Sequence, residues 1–253
     1  QVFIRKAYDI LRKHDNLGYK NNLSTQLVVS THASHIAHEC KFDWLRYFRR
    51  LPAVKEGEVP ISIVVNLSKV FGNEKDETQK FATRYLKTTH CDLFFADAAI
   101  LVEGPAERML VPHFIHNYFK KLSQSYITLL EIGGSHAHRL RPLIEHLGLV
   151  TLVITDLDSA ESTGHHPSKQ PERGKNLITR NATLKTWLPV KEQIDDLLDS
   201  QDSAKIRQYD NFASVRVAYQ FPVSIQISDS LNEEALSNTF EDALIFENLS
   251  IFK

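Results

Sequence analysis

The stretch Ala98-Ala-Ile-Leu-Val-Glu-Gly-Pro-Ala-Glu107 decides how the chain is read. Its first five residues form an unbroken apolar run, too short for a helix, which is the pattern of a strand buried on both faces. Glu103-Gly104-Pro105 then turns the strand into a helix from about Ala106 to Phe119. Proline suits the first helical position, where the amide it lacks would be unbonded anyway. The same grammar continues downstream. Tyr126 to Leu130 reads as a second strand, leading through Gly133-Gly134 to a helix from about His136 to Leu147. Leu149 to Thr155 reads as a third, ending at Asp156-Leu157-Asp158. Strand, helix, strand, helix, strand at this spacing predicts a parallel α/β unit.

The acidic residues fall where such a unit displays them. Glu103 closes the first strand and Glu107 lies one helical turn later on the same face. Asp156 and Asp158, two apart at the end of another parallel strand, point the same way if the chain there is extended. Either spacing alone is common on a solvated face. Together they gather four carboxylates at the carboxyl edge of the sheet, where open α/β folds bind ligands. Such a group repels itself unless a cation neutralises it. All-oxygen donors favour Mg²⁺ or Mn²⁺ over zinc. Paired divalent ions of this kind activate water and stabilise the leaving oxygen in phosphodiester cleavage.

Upstream of this unit, Val2, Ile4, Ala7, Ile10 and Leu11 recur at helical spacing. Gln26 to Ser30 reads as a buried strand delivering His32 and His35 to an edge. Phe42 to Leu51 and Ile61 to Leu67 read as two more strands, and Asn73 to His90 as a polar helix. Downstream, 159–175 is loop-like. Thr179 or Asn181 can cap a helix through Trp187, and Val190 to Leu198 reads as a second helix. Val215 to Ile227 reads as strand broken at Pro222, and Thr239 caps a short helix carrying Glu241 and Asp242.

Composition narrows the class. Lys and Arg total 30 against 31 Asp and Glu, so a generally basic nucleic-acid coat is excluded, though a local basic groove is not. No apolar run approaches the roughly 18 residues of a membrane helix. Two cysteines, Cys40 and Cys91, give neither a disulfide framework nor a zinc knuckle, so a reducing cytoplasm is the expected compartment. His32, His35 and His38 lack the partners of a structural zinc site. The chain opens at Gln1 and its one methionine is Met109, so it reads as a fragment or processed form. Between Glu161 and Lys191 six basic residues stand against two acids. Beside a carboxylate metal site, a basic flap is what a polyanionic substrate requires. Lys169, Arg173 and Lys175 are its candidate DNA contacts, and His136, at a helix start that favours anions, is a fourth.

Three segments together resemble a known family: Ile100 to Glu107, Ile132-Gly-Gly134, and Val153 to Asp158. They are similar to the TOPRIM domain shared by topoisomerases, primases and certain nucleases. The wider context resembles the OLD (overcoming lysogenization defect) family of ATP-dependent endonucleases. Gln26 to Ser34 is similar to the last strand and switch-histidine loop of ABC-type ATPases, with His32 in the histidine place. Thr239-Phe-Glu-Asp-Ala243 resembles the family's later acidic motif. The resemblance implies metal ligands at Glu103, Glu107, Asp156, Asp158 and Glu241, less so Asp242, with Glu103, Asp156 and Asp158 carrying the catalysis. It also implies two Mg²⁺ or Mn²⁺ ions, DNA as substrate, a homodimer or higher homo-oligomer, and a role in phage defence. ATP enters only through a fuller chain, since no GxxxxGK[ST] occurs here. The family's lysine beyond the last acidic motif has no Gly-Lys counterpart up to Lys253.

The expected fold is therefore α/β, a parallel-sheet TOPRIM core with a helical insertion, preceded by the C-terminal portion of an ABC-type ATPase lobe. The expected divisions are 1–70 for the trailing ATPase part, 71–97 for a linker helix, 98–159 with 236–253 for the nuclease domain, and 160–235 for the insertion. The alternative is a non-catalytic, ATPase-linked DNA-binding or oligomerisation module. A dehalogenase-type phosphatase needs its Asp-x-Asp near the start of the domain, whereas two strands precede Asp156 here.

Overall fold

A computed structural model describes residues 2–16, 27–33, 44–69, 80, 91–210, 212–228 and 231–251. Helix α1 covers Val2–Asn16. Strands β1 (Arg46–Leu51) and β2 (Ile61–Asn66) form an antiparallel hairpin, Arg46 opposite Asn66 and Leu51 opposite Ile61. The α/β unit follows as β3 (Ala98–Val102), α2 (Pro105–Tyr118), β4 (Ile127–Glu131), α3 (Arg141–Leu147) and β5 (Val150–Ile154). A two-residue pair, β6 (Ser159–Ala160) with β7 (Ile178–Thr179), precedes the short helices α4 (Ala182–Thr186) and α5 (Ile194–Leu198). Strands β8 (Ile206–Asp210) and β9 (Ala213–Ala218), the hairpin β10 (Val223–Ser228) with β11 (Leu231–Ala235), and helix α6 (Phe240–Glu247) complete the described chain.

Five strands make the central sheet in the order β4-β3-β5-β9-β8. The first four run parallel, and β8 closes one edge antiparallel to β9. Alternation along β3 supplies two cores. Ala99 and Leu101 join the larger one, with Leu143, Ile144 and Leu147 of α3 and Trp187 at the end of α4. Ile100 and Val102 face the other way, onto Val111 and Ile115 of α2. Burial on both faces explains why β3 reads as an apolar run without alternation. The β1–β2 hairpin is tied to the sheet's antiparallel edge by Arg49, whose two terminal nitrogens meet the Asp210 carboxylate at 2.7 and 3.1 Å.

Several expectations change. Residues 160–235, expected to be a helical insertion, are helical in α4 and α5, with a 3₁₀ turn at Asp202–Lys205, but 206–235 is mostly strand. Of these strands β9 lies inside the sheet, because Ala213, Val215 and Val217 alternate inward and are fully buried. Residues 27–30, expected as a buried strand, carry no regular structure, with Val28 81% exposed. A β-branched run becomes a strand only against a paired neighbour, and no described strand pairs with it. The helix read over 73–90 lies outside the described residues except for helical Lys80, and His35, His38 and Cys40 lie outside them too.

A carboxylate cluster as the candidate active site

Parallel pairing sets Leu101 beside Val153, so β3 and β5 run out together and release Glu103 and Asp156 at one edge. Glu103 Oε1 accepts hydrogen bonds from the Thr155 hydroxyl, from Asp156 N at 3.3 Å and from Asn181 Nδ2 at 3.0 Å. Burial pushes the Glu103 carboxyl above its usual range, those three donors oppose the rise, and the Asp158 charge adds to it. Asp156 Oδ1 accepts from Gln220 Nε2 at 2.6 Å. Its pKa is pushed up to about 7, chiefly by burial, against the pull of the Gln220 hydrogen bond and with the charges of Glu103, Glu107 and Glu241 adding. The field at Asp156 is thus made by three of the carboxylates expected beside it.

The remaining acids have local work as well. Glu107 is the third residue of α2, 4% exposed, and its Oε2 accepts from Gly104 N at 3.2 Å, half of a capping box at a helix N-terminus. Asp158 does not follow the extended reading: its φ is +49°, so the chain turns at this point and the side chain meets Arg180 Nη2 at 2.6 Å. Aspartate tolerates this left-handed conformation better than most residues. Glu241 is exposed on the first turn of α6. That helix is capped by Thr239, whose hydroxyl accepts from Asp242 N at 3.3 Å, while Asp242 Oδ2 accepts from Asn238 N at 3.3 Å. Asn238 Oδ1 in turn accepts from Ser159 N at 2.8 Å, which ties the start of α6 to the loop after Asp158. Asp242 therefore serves the cap.

Two left-handed glycines, Gly133 (φ +72°) and Gly134 (φ +69°), let the loop after β4 fold back so that Gly133 N reaches the Glu103 carbonyl at 3.1 Å. His136 precedes a 3₁₀ turn (Ala137–Leu140) rather than an α-helix, and its ring lies 6.3 Å from that of His138. Burial holds the His138 imidazole below its ordinary pKa. Among the expected DNA contacts, Lys169 pairs with Glu161 at 3.0 Å and Lys175 with Glu172 at 3.3 Å. Arg173 bridges Glu234 and Asp199, both at 2.8 Å. His32 is exposed in an irregular segment.

Among the described residues, no three acidic, histidine or cysteine side chains converge at metal-ligand spacing. Glu103, Glu107, Asp156 and Asp158 are instead each turned to a protein donor. The donor set still suits a hard divalent cation, being all oxygen, partly buried and mutually repulsive. Sequence reasoning missed Thr155 and Gln220, which position Glu103 and Asp156, and Asn238, which ties the start of α6 to Ser159, and saw Asn181 only as a helix cap. Polar residues of this kind carry no spacing signal; the topology alone brings them to the cluster.

Residues 94–158 match the family described as Overcoming lysogenization defect protein-like, TOPRIM domain. The chain is 28% identical over 253 residues to Endonuclease GajA of Bacillus cereus (strain HuB5-5), an alignment covering 97% of this chain. It covers 34% of that relative, so the chain spans about a third of its length. The match over 94–158 takes in Glu103, Glu107, Asp156 and Asp158, and the strands that carry them are those of the α/β unit read from the sequence.

Proposed function

We propose that this chain is the catalytic part of a divalent-metal-dependent endonuclease that hydrolyses phosphodiester bonds in DNA. The observation that carries the reading is electrostatic. The carboxyl end of two adjacent parallel strands, within an OLD-like TOPRIM match, raises the Asp156 pKa partly through three neighbouring carboxylates. In this reading Glu103, Asp156 and Asp158 carry catalysis, and Glu107 and Glu241 complete the ligand set for two ions. Bound Mg²⁺ or Mn²⁺ would supply an activated water and stabilise the leaving oxygen. The chain's own residues fix the acids: Thr155 and Asn181 hold Glu103, and Gln220 holds Asp156. Arg180, on Asp158 in this structure, supplies a positive charge at the edge where a phosphate would arrive.

DNA reaches the site across the 161–191 flap, with Lys169, Lys175 and His136 as contacts. Arg173, already spanning two carboxylates, contributes least. In a fuller chain, residues 1–70 belong to an ATPase lobe with His32 at its switch, 71–97 link it to the nuclease, and ATP binding governs cleavage. Homo-oligomerisation, a cytoplasmic setting and phage defence are further parts of the proposal. Among the described residues no helix is long and apolar enough to cross a membrane. The test is Asp156→Ala in the full-length protein. Mn²⁺-dependent cleavage of plasmid DNA is expected to vanish while circular dichroism and DNA binding stay near wild type. Undiminished cleavage by that variant would overturn the reading.

A further inference from the structure

Two buried carboxamides stand between the acids and the rest of the fold, and neither belongs to an acidic motif. Asn181 is fully buried at the start of α4. Its Oδ1 accepts from Thr183 N at 2.9 Å and from Leu184 N at 3.3 Å, capping the helix. Its Nδ2 donates to Glu103 Oε1 at 3.0 Å, Thr155 Oγ1 at 2.6 Å and the Asp156 carbonyl at 2.7 Å. Gln220, 6% exposed and two residues beyond β9, works the same way on the other carboxylate. Its Oε1 accepts from Leu157 N at 2.7 Å while its Nε2 donates to Asp156 Oδ1 at 2.6 Å.

The shared design has a chemical reason. A carboxamide offers an acceptor to fix itself on a backbone amide and a neutral donor to turn on a carboxylate. A carboxylate at either position would add like charge to an already repulsive cluster, and an aliphatic side chain would take one of three donors from Glu103 or the Gln220 donor from Asp156. Each amide has its acceptor end anchored on backbone, so its donor end is aimed before anything binds.

We infer that Asn181 and Gln220 are positioning residues for the proposed metal site, holding one oxygen each of Glu103 and Asp156 so that the remaining oxygens are presented to a divalent cation. This rests on the metal-site reading above. Outer partners of metal-ligating carboxylates typically govern affinity by about 10- to 100-fold.

The test uses the full-length protein and Mn²⁺ alone, titrated calorimetrically, with thermal melts in parallel. Asn181→Ser keeps an N-cap oxygen but is too short to reach Glu103. Gln220→Met keeps the volume and removes both hydrogen bonds. Tyr209→Phe on the edge strand β8, which deletes a 2.7 Å hydrogen bond to Glu145 of α3 and a 3.3 Å one from Trp187 Nε1, is the control for stability loss without a role at the site. The expected result is Mn²⁺ affinity weakened about 10-fold or more in both carboxamide variants, unchanged in Tyr209→Phe, and lost in Glu103→Gln. Wild-type Mn²⁺ affinity in Asn181→Ser and Gln220→Met, with Glu103→Gln defective, would overturn this inference and leave the metal reading standing. Failure of the wild-type protein to bind Mn²⁺ would overturn both.

Discussion

Asp156 is where the opposing forces of the site meet, since burial and three neighbouring carboxylates favour its protonated form while Gln220 favours the charged one. Its pKa rises from an ordinary value of about 4 in an unfolded chain to about 7 in the fold. The folded state therefore holds more protons than the unfolded state between these values, and stability falls as pH rises through that window. The favourable contribution is complete below about pH 4 and gone above about pH 7. Asp156→Asn removes the ionisable group yet can still accept from Gln220. In chelator-treated protein at pH 8 it is expected to stabilise by about 1–2 kcal/mol, the gain being limited by solvent screening at a part-exposed position. Under the proposed function Mn²⁺ should stabilise the wild type, and the same variant should lose that stabilisation. Urea unfolding at pH 5 and pH 8, with and without Mn²⁺, measures both. A variant curve parallel to wild type at both pH values would show that the cluster imposes no strain. At this scale the acids were legible because each sits next to a strand end or helix start that the sequence marks. The left-handed turn at Asp158 was not, since its signal is a single backbone angle in a residue type that adopts several.

At the scale of elements, the strands β3, β4 and β5 were read to within a residue or two, because two-sided burial leaves apolar runs bounded by Gly and acidic residues. The insertion was misjudged for the opposite reason. Residues 206–235 form strands with polar outward positions, and the place of β9 beside β5, with β8 beyond it, depends on a crossover from residue 155 to residue 213 that no local pattern records. Helix α6 shows how such distant elements are joined to the site. Its cap is Thr239, and Asn238 Oδ1 accepts from Ser159 N at 2.8 Å, so the helix start is tied to the loop after Asp158. Thr239→Ala should cost about 1 kcal/mol. The loss should appear as faster hydrogen exchange in the first turn of α6, with β3 and β5 protected as before. Uniformly faster exchange across the sheet would mean that α6 is integral to the core rather than clipped onto it.

For the molecule as a whole, the proposed function raises the question of how a chain of net charge −1 would approach a polyanion with an acidic cluster at its site. The sequence points to the 161–191 flap, and the structure divides its cations by how each is held. Lys169 and Lys175 each face one carboxylate, with both partners substantially exposed. Such pairs are worth about 0–1 kcal/mol, so a phosphate can replace the carboxylate at little cost. Arg173 is different, gripping Glu234 through two nitrogens and Asp199 through a third contact. It joins β11 to the end of α5, and replacing those partners would loosen the insertion. The double variant Lys169→Ala/Lys175→Ala is therefore expected to lower the salt dependence of DNA binding by up to about two in slope, each phosphate contact releasing about one counterion. Single-turnover cleavage at saturating DNA should largely survive, because under the proposed function the flap would act on approach and the carboxylates on chemistry. Arg173→Ala should leave the salt slope within about half a unit of wild type, since a guanidinium held by two protein carboxylates is not given up to a phosphate. Its effect should instead be a lower unfolding free energy in urea, by about 1 kcal/mol for an exposed two-partner network. Binding isotherms across a series of salt concentrations separate the two roles. An unchanged slope in the double variant would place the DNA path on another face of the site.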